Sequence, residues 1–154
     1  MRLNIRRARL ADLDAIYNIE TISFGYEAFT KNFLLELMFR SPEFFIVAEK
    51  DNKVVGYLSA VAEGHFNRLC HILSIAVLPE YRGQGIGSEL LKYLIDLVKM
   101  KKISSIILEV KKNNDIAINV YKKFGFKIIG YKYRYYRDGS DALVMKLDLH
   151  DFNL

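Results

Sequence analysis

His71-Ile72-Leu73-Ser74-Ile75-Ala76-Val77, then Arg82-Gly83-Gln84-Gly85-Ile86-Gly87, then an amphipathic segment opening at Ser88: this stretch decides the fold. A strand that feeds a glycine-rich turn into a helix gathers several free backbone N–H groups in one small volume, at the positive end of the helix dipole. Such a volume suits a phosphate. The spacing excludes two common solutions. A mononucleotide loop ends in Gly-Lys-Ser or Gly-Lys-Thr, and a dinucleotide fingerprint needs GxGxxG with an acidic residue about 20 positions on. Here the pattern is Arg-x-x-Gly-x-Gly, and glycines at 83, 85 and 87 leave the loop nearly bare of side chains. One glycine would mark only a tight turn. Three at alternate positions behind an arginine favour a wrapped pyrophosphate over one held through magnesium.

Working outward, the chain alternates strand-like and helix-like patterns. Leu3–Arg7 reads as a strand, and Asp12 opens a helical pattern with Leu13, Ile16 and Tyr17 on one face. The pattern breaks over Thr21–Phe29 at Gly25, and Thr30 caps a second helix carrying Phe33, Leu34, Leu37 and Met38, ended by Ser41-Pro42. Phe44–Ala48 and Val54–Ala62 read as strands around an Asp51-Asn52-Lys53 turn. Leu69–Leu78 is the strand before the glycine loop, and Glu89–Met100 is a long helix with a broad apolar face. Ser104–Val110 follows as a strand, which the intervening helix makes a parallel neighbour of the previous one. Asp115–Phe124 is a short helix stopped by Gly125, and Lys127–Tyr136 with Ala142–Leu147 forms a closing hairpin over Asp138-Gly139-Ser140. The expected fold class is α/β, an α+β mixed sheet of about seven strands with flanking helices.

The 154 residues, 51% of them apolar and 13% aromatic, suit a single domain over 1–154 with one core. Two prolines, no repeat and no low-complexity tract give no sign of a second. The basic start Met1-Arg2-Leu3-Asn4-Ile5-Arg6-Arg7 lacks the apolar core of a signal peptide, and no apolar run spans a bilayer. The lone Cys70 rules out an intramolecular disulfide and most zinc frameworks, so no metal is expected and a reducing cytoplasm is. The net charge of +5 is spread over many lysines without a continuous basic helix, so direct nucleic-acid binding is not expected.

Arg82-x-x-Gly85-x-Gly87, between an Ile-Ala-Val strand and a long helix, resembles the acetyl-CoA signature of the GCN5-related N-acetyltransferases (GNAT). Glu109-Val110-Lys111-Lys112-Asn113-Asn114-Asp115-x-Ala117-x-x-x-Tyr121-x-x-x-Gly125-Phe126 is similar to the second coenzyme-contacting motif of that family. Tyr135-Tyr136-Arg137-Asp138-Gly139-Ser140-Asp141-Ala142 resembles the C-terminal hairpin of its protein N-terminal acetyltransferase branch, including the RimI type. The resemblance runs from about Asn4 to Leu149. It implies the GNAT fold with a splayed parallel strand pair, and acetyl-CoA as cosubstrate. It further implies a protein or peptide N-terminus as acceptor, on ribosomal or nascent chains, in a monomer or weak homodimer with no membrane role.

The resemblance also assigns residues. Ile75, Ala76 and Val77 would pair through their backbone with the pantetheine amides, and Gly83, Gln84, Gly85, Ile86, Gly87 and Ser88, behind Arg82, would take the pyrophosphate. Asn114 would close over the pantetheine. Tyr121 would act as general acid on the departing thiolate and touch the coenzyme. Glu109 would act as general base through a water, at the end of the apolar Ile106-Ile107-Leu108, where partial burial is expected to raise its pKa. His71 shares a strand face with Leu73, Ile75 and Val77 and is a second base candidate, able to share the relay. Glu27 and Phe29, with Tyr135 and Tyr136, would flank the acceptor. The loop Ser23–Thr30 departs from the branch's Pro-Trp-Ser and Pro-Glu-Asn-Tyr patterns. Cys70 points away from His71 and is read as packing, which favours direct attack by the amine over an acetyl-cysteine. Two other readings keep the motifs: acetylation of a small amine or internal lysine, and an acyl-CoA binding module without chemistry.

Overall fold

The computed structural model describes residues 2–64, 66 and 68–149. Seven strands, β1 (Asn4–Arg7), β2 (Phe45–Lys50), β3 (Lys53–Glu63), β4 (Leu69–Val77), β5 (Ser105–Lys111), β6 (Lys127–Lys132) and β7 (Ala142–Asp148), form one sheet. Their order is β1-β2-β3-β4-β5-β7-β6. Four helices accompany it: α1 (Leu13–Phe24), α2 (Lys31–Arg40), α3 (Ile86–Met100) and α4 (Asp115–Lys123). The expected mixed sheet of seven strands is therefore present. β4 and β5 pair in parallel, over only Leu69–His71 against Ser105–Ile107, which is the expected splayed pair. No helix among the described residues is long and apolar enough to cross a membrane.

Two compact units divide these residues, one running to Val61 together with Leu73–Asp96, the other formed by Ala62–Ile72 and the chain from Leu97. In the first, Ile16 and Ile19 of α1, Leu34 and Leu37 of α2, Phe45 and Leu58 of the sheet, and Leu90, Leu91 and Leu94 of α3 are buried. Each fully buried aliphatic or aromatic side chain contributes roughly 1.5–3 kcal/mol. β2 and β3 turn over Asp51 and Asn52, both at positive φ (56° and 60°), a conformation that Asp and Asn tolerate best after glycine. Thr30 caps α2 as its sequence predicts, its Oγ1 accepting the Phe33 amide at 3.1 Å. In the second unit, Ile106, Leu108 and Val110 of β5, Met145 and Leu147 of β7, Ile118 of α4 and Phe126 are buried.

Most element boundaries differ from the sequence expectation by a residue or more, and four of them matter most. α1 continues through Thr21 to Phe24 before Gly25 (φ 52°) ends it, and Tyr17 is 38% exposed rather than on the inner face. α3 opens at Ile86, inside the glycine motif, so the loop and the helix N-terminus are one feature. β5 runs one residue past Val110, to Lys111. β6 ends at Lys132, not Tyr136. The strong β propensity of Tyr133, Tyr135 and Tyr136 is overridden by a knitted turn. Arg134 takes φ 48° and donates its amide to Asp141 Oδ1 at 2.9 Å, while Gly139 N bonds Tyr136 O and Tyr136 N bonds Ser140 O.

Candidate active site

In the first unit the glycine loop forms a cradle of bare backbone. Gly83 and Gly85 sit at φ 77° and 81°, and a Cβ built on either meets nothing within 4 Å, so the loop faces open space with bare backbone. Glu89 is the first amide of the region to find a backbone acceptor, Gly85 O at 3.0 Å; among the described residues the amides of Gly83 through Ser88 find none. Unpaired N–H groups at a helix N-terminus bind anions through hydrogen bonds and the helix dipole together. Arg82 braces the cradle, donating Nε to Val77 O at 2.9 Å and reaching Ser23 Oγ at 3.4 Å. Gln84 Oε1 accepts from Lys50 Nζ at 2.7 Å. Ile75 and Val77 lie on the less buried face of β4 and Ala76 on the buried one. A phosphate-bearing donor fits this donor set.

The loop that ends α1 lies in the same unit. Glu27 falls in a one-turn 3-10 segment, and the Phe29 ring stacks at a tilt on Phe33 at 4.8 Å. The Phe29 amide donates at 2.9 Å to Oε2 of Glu20, a residue the sequence reading did not single out.

The acid–base groups converge in the second unit. Strand alternation puts His71 on the open face of β4 and Glu109 on the matching face of β5, and the parallel register places His71 against Ile107, two residues before Glu109. The His71 Nε2 to Glu109 Oε1 distance is 2.7 Å. His71 Nδ1 lies 3.2 Å from Glu63 Oε1, and Lys132 Nζ donates to Glu109 Oε2 at 3.1 Å. The Glu109 side chain is only 9% exposed. Its hydrogen bond to Glu109 is the largest influence on His71 and raises its pKa; burial opposes this, the charges of both glutamates add to it, and Lys132 subtracts. For Glu109, burial is the largest single influence and pushes the pKa up, but His71 and Lys132 together outweigh it and hold the carboxyl below its ordinary value. The expected upward shift is therefore reversed, because the sequence gives burial without the partners.

Lys132 also lies 5.0 Å from the centre of the Tyr135 ring, Tyr135 meets Tyr136 edge-on at 5.0 Å, and Lys111 covers Tyr136 at 5.2 Å while pairing with Asp138 at 3.0 Å. The turn carrying Tyr135 and Tyr136 is thus continuous with the acid–base cluster. Tyr121 is buried in α4 against Phe126, and burial pushes its phenol up to about 12. Among the described residues its hydroxyl makes no hydrogen bond to a protein group. Asn114 caps α4, its Oδ1 accepting the Ala117 amide at 3.2 Å. Cys70 is fully buried and its thiol is pushed up to about 12, chiefly by burial, which fits its reading as packing.

Free backbone amides at a helix start suit a phosphate-bearing cosubstrate. The chain belongs to the acetyltransferase (GNAT) family, whose model matches residues 13–126. It is an N-acetyltransferase of that family. An N-alpha-acetyltransferase of Sulfurisphaera tokodaii is 38% identical over 155 residues, covering 94% of this chain and 92% of that one. A Bacillus subtilis protein, described as a putative ribosomal protein bS18-alanine N-acetyltransferase, is 35% identical over 96% of both chains. Among solved structures, Arabidopsis thaliana Naa50 in complex with the bisubstrate analogue CoA-Ac-MVNAL superposes with a TM-score of 0.87 at 27% identity, over 97% of this chain and 100% of that one.

Proposed function

We propose that this chain transfers the acetyl group of acetyl-CoA to the free α-amino group at the N-terminus of a protein or peptide, by direct attack. The observation that carries this reading is the continuity of Glu109, Lys132 and Tyr135, which joins a proton acceptor to the turn assigned to the acceptor chain. The names of the relatives support the same acceptor class.

The pKa directions divide the labour. An α-ammonium titrates at about 7.7–8.0, so a carboxylate held below its ordinary value is a poor final home for its proton, whereas a histidine raised above 6.5 is well matched. Both ring nitrogens of His71 already face carboxylates, so the amine does not reach His71 directly. Glu109 takes the proton from the amine, through a water, and passes it to His71 when the ring is neutral, while the charge of Glu63 beside Nδ1 favours the protonated ring. Lys132 keeps Glu109 ionised in the resting state. Tyr121 acts differently from a full general acid. A phenol near 12 facing a thiol that titrates at about 8.5 would lose roughly 5 kcal/mol by complete transfer, so it donates a hydrogen bond to the developing negative charge. The cradle amides of Gly83–Ser88, with Ile75–Val77, hold the donor, and alignment supplies much of the rate.

The test is free-thiol release from acetyl-CoA across short peptides differing in their first two residues, with N-blocked lysine peptides and polyamines as controls. Turnover confined to free N-termini is expected. Turnover only on blocked peptides or polyamines keeps the acetyltransferase and overturns the acceptor.

A further inference from the structure

Glu20 is 1% exposed in α1, on the same inward stripe as Leu13, Ile16 and Ile19. Its Oε1 accepts from the Tyr57 hydroxyl of β3 and from Ser74 Oγ of β4, the latter at 2.7 Å, and its Oε2 accepts the Phe29 amide at 2.9 Å. Among the described residues no lysine, arginine or histidine pairs with it. Burying a carboxylate without a cation is costly even when it is hydrogen-bonded, and a leucine on that stripe would pack at no such cost. The position therefore serves what the carboxylate holds.

What it holds is the segment Gly25–Thr30. The bonds from Ala28 to Gly25 O and from Phe33 to Thr30 stay within this segment and the helix it leads into. The Phe29 amide is where Glu20 ties the segment to β3 and β4, through a single carboxylate shared with Tyr57 and Ser74. Ser74 directly precedes Ile75, the start of the backbone assigned to the donor. We infer that Glu20 is a positioning residue for the acceptor: by fixing Phe29, and with it Glu27, against Tyr57 and Ser74, it sets the affinity for the incoming amine. The inference rests on the proposed assignment of Glu27 and Phe29 to the acceptor.

Glu20→Gln keeps the side chain's size and removes one acceptor. Turned one way, the amide sets a donor against the Phe29 N–H; turned the other, it sets a donor against Tyr57 and Ser74, whose hydroxyls must then give their protons to other acceptors. The expected result is a rise of about tenfold in KM for the amine, with kcat and KM for acetyl-CoA within about twofold, as for a lost charge-assisted hydrogen bond. The Phe29 amide should also exchange its hydrogen faster. Equal rises in both KM values, or a loss of melting temperature with no change in the amine's KM, would mean a merely structural role and overturn the inference. If Glu20→Gln does not fold, Tyr57→Phe decides by the same split, with a smaller rise expected. Should the wild type turn over a polyamine but no peptide, the N-terminal reading fails on the wild type alone. The same split measured with that polyamine still decides the role of Glu20.

Discussion

Glu109 accepts contacts from both sides, His71 on one oxygen and Lys132 on the other, and removing its charge should stop the relay at its first step. Glu109→Gln is expected to lower kcat by about 10²–10⁴-fold, with KM for acetyl-CoA little changed, in steady-state thiol release. Glu63→Gln tests the other end. Loss of that carboxylate lowers the pKa of His71, which must be neutral to receive the proton and which is faced by Glu63, Glu109 and Lys132. The acidic limb of the kcat/KM profile should therefore move to lower pH; an unmoved limb would mean that His71 does not set it. Tyr121→Phe, which fills the same space, should cut kcat about tenfold to a hundredfold without changing the melting temperature by more than a degree or two. At this scale the sequence reveals candidates and hides partners. His71 and Glu109 are legible from motif and parity, whereas Glu63 and Lys132 join them through the positions their strands take, which no spacing discloses. Glu20 did leave a signal: a carboxylate seven positions after Leu13 falls on the apolar stripe of its own helix.

The glycine loop shows which backbone demands reach the level of an element. Gly85 needs φ 81° and has open space where a Cβ would go, so Gly85→Ala meets strain rather than collision. A cost of about 1 kcal/mol or more is expected, relieved by turning the cradle amides and read as a several-fold rise in KM for acetyl-CoA at constant kcat. Gly56 in β3 is the reverse case, since its Cβ would lie 3.1 Å from the Ala76 carbonyl and 3.3 Å from Leu90 Cδ1. The helices and strands were legible because their periodicities are strong: β4 alternates cleanly between buried and half-buried positions, as its sequence predicts. The end of β6 was not. Four tyrosines in six residues favour a continuing strand, and the bond from Arg134 to Asp141, with those joining Tyr136 to Ser140 and Gly139, ends it.

At the scale of the whole molecule, two ion-pair clusters, one in each compact unit, make stability depend on pH, one through an acid limb alone and the other through an acid and an alkaline limb. Burial pushes the Asp12 carboxyl up, but the Arg6 guanidinium, with two contacts at 2.8 and 3.0 Å, and the Arg9 amide outweigh it and hold it below its ordinary value. A group lowered on folding contributes stability that is present above its unfolded pKa of about 3.9 and is lost as pH falls through the folded value. Glu109 behaves likewise. His71 is raised, so its contribution is complete below about 6.5 and is lost as pH rises through its folded value. For the His71–Glu109 pair these are two ends of one interaction, present only while both partners are charged. The arginine in the other cluster does not titrate in this range, so that cluster has an acid limb alone. The melting temperature of the wild type should therefore be highest between about pH 5 and 6.5, fall toward acid through both clusters, and fall toward alkali through His71. His71→Asn should flatten the alkaline limb while the Arg6–Asp12 part of the acid limb persists. Asp12→Asn should weaken the acid limb and leave the alkaline one. A His71→Asn protein whose melting temperature still declines above pH 6.5 as steeply as the wild type would show that the histidine is not the group whose charge the second unit depends on.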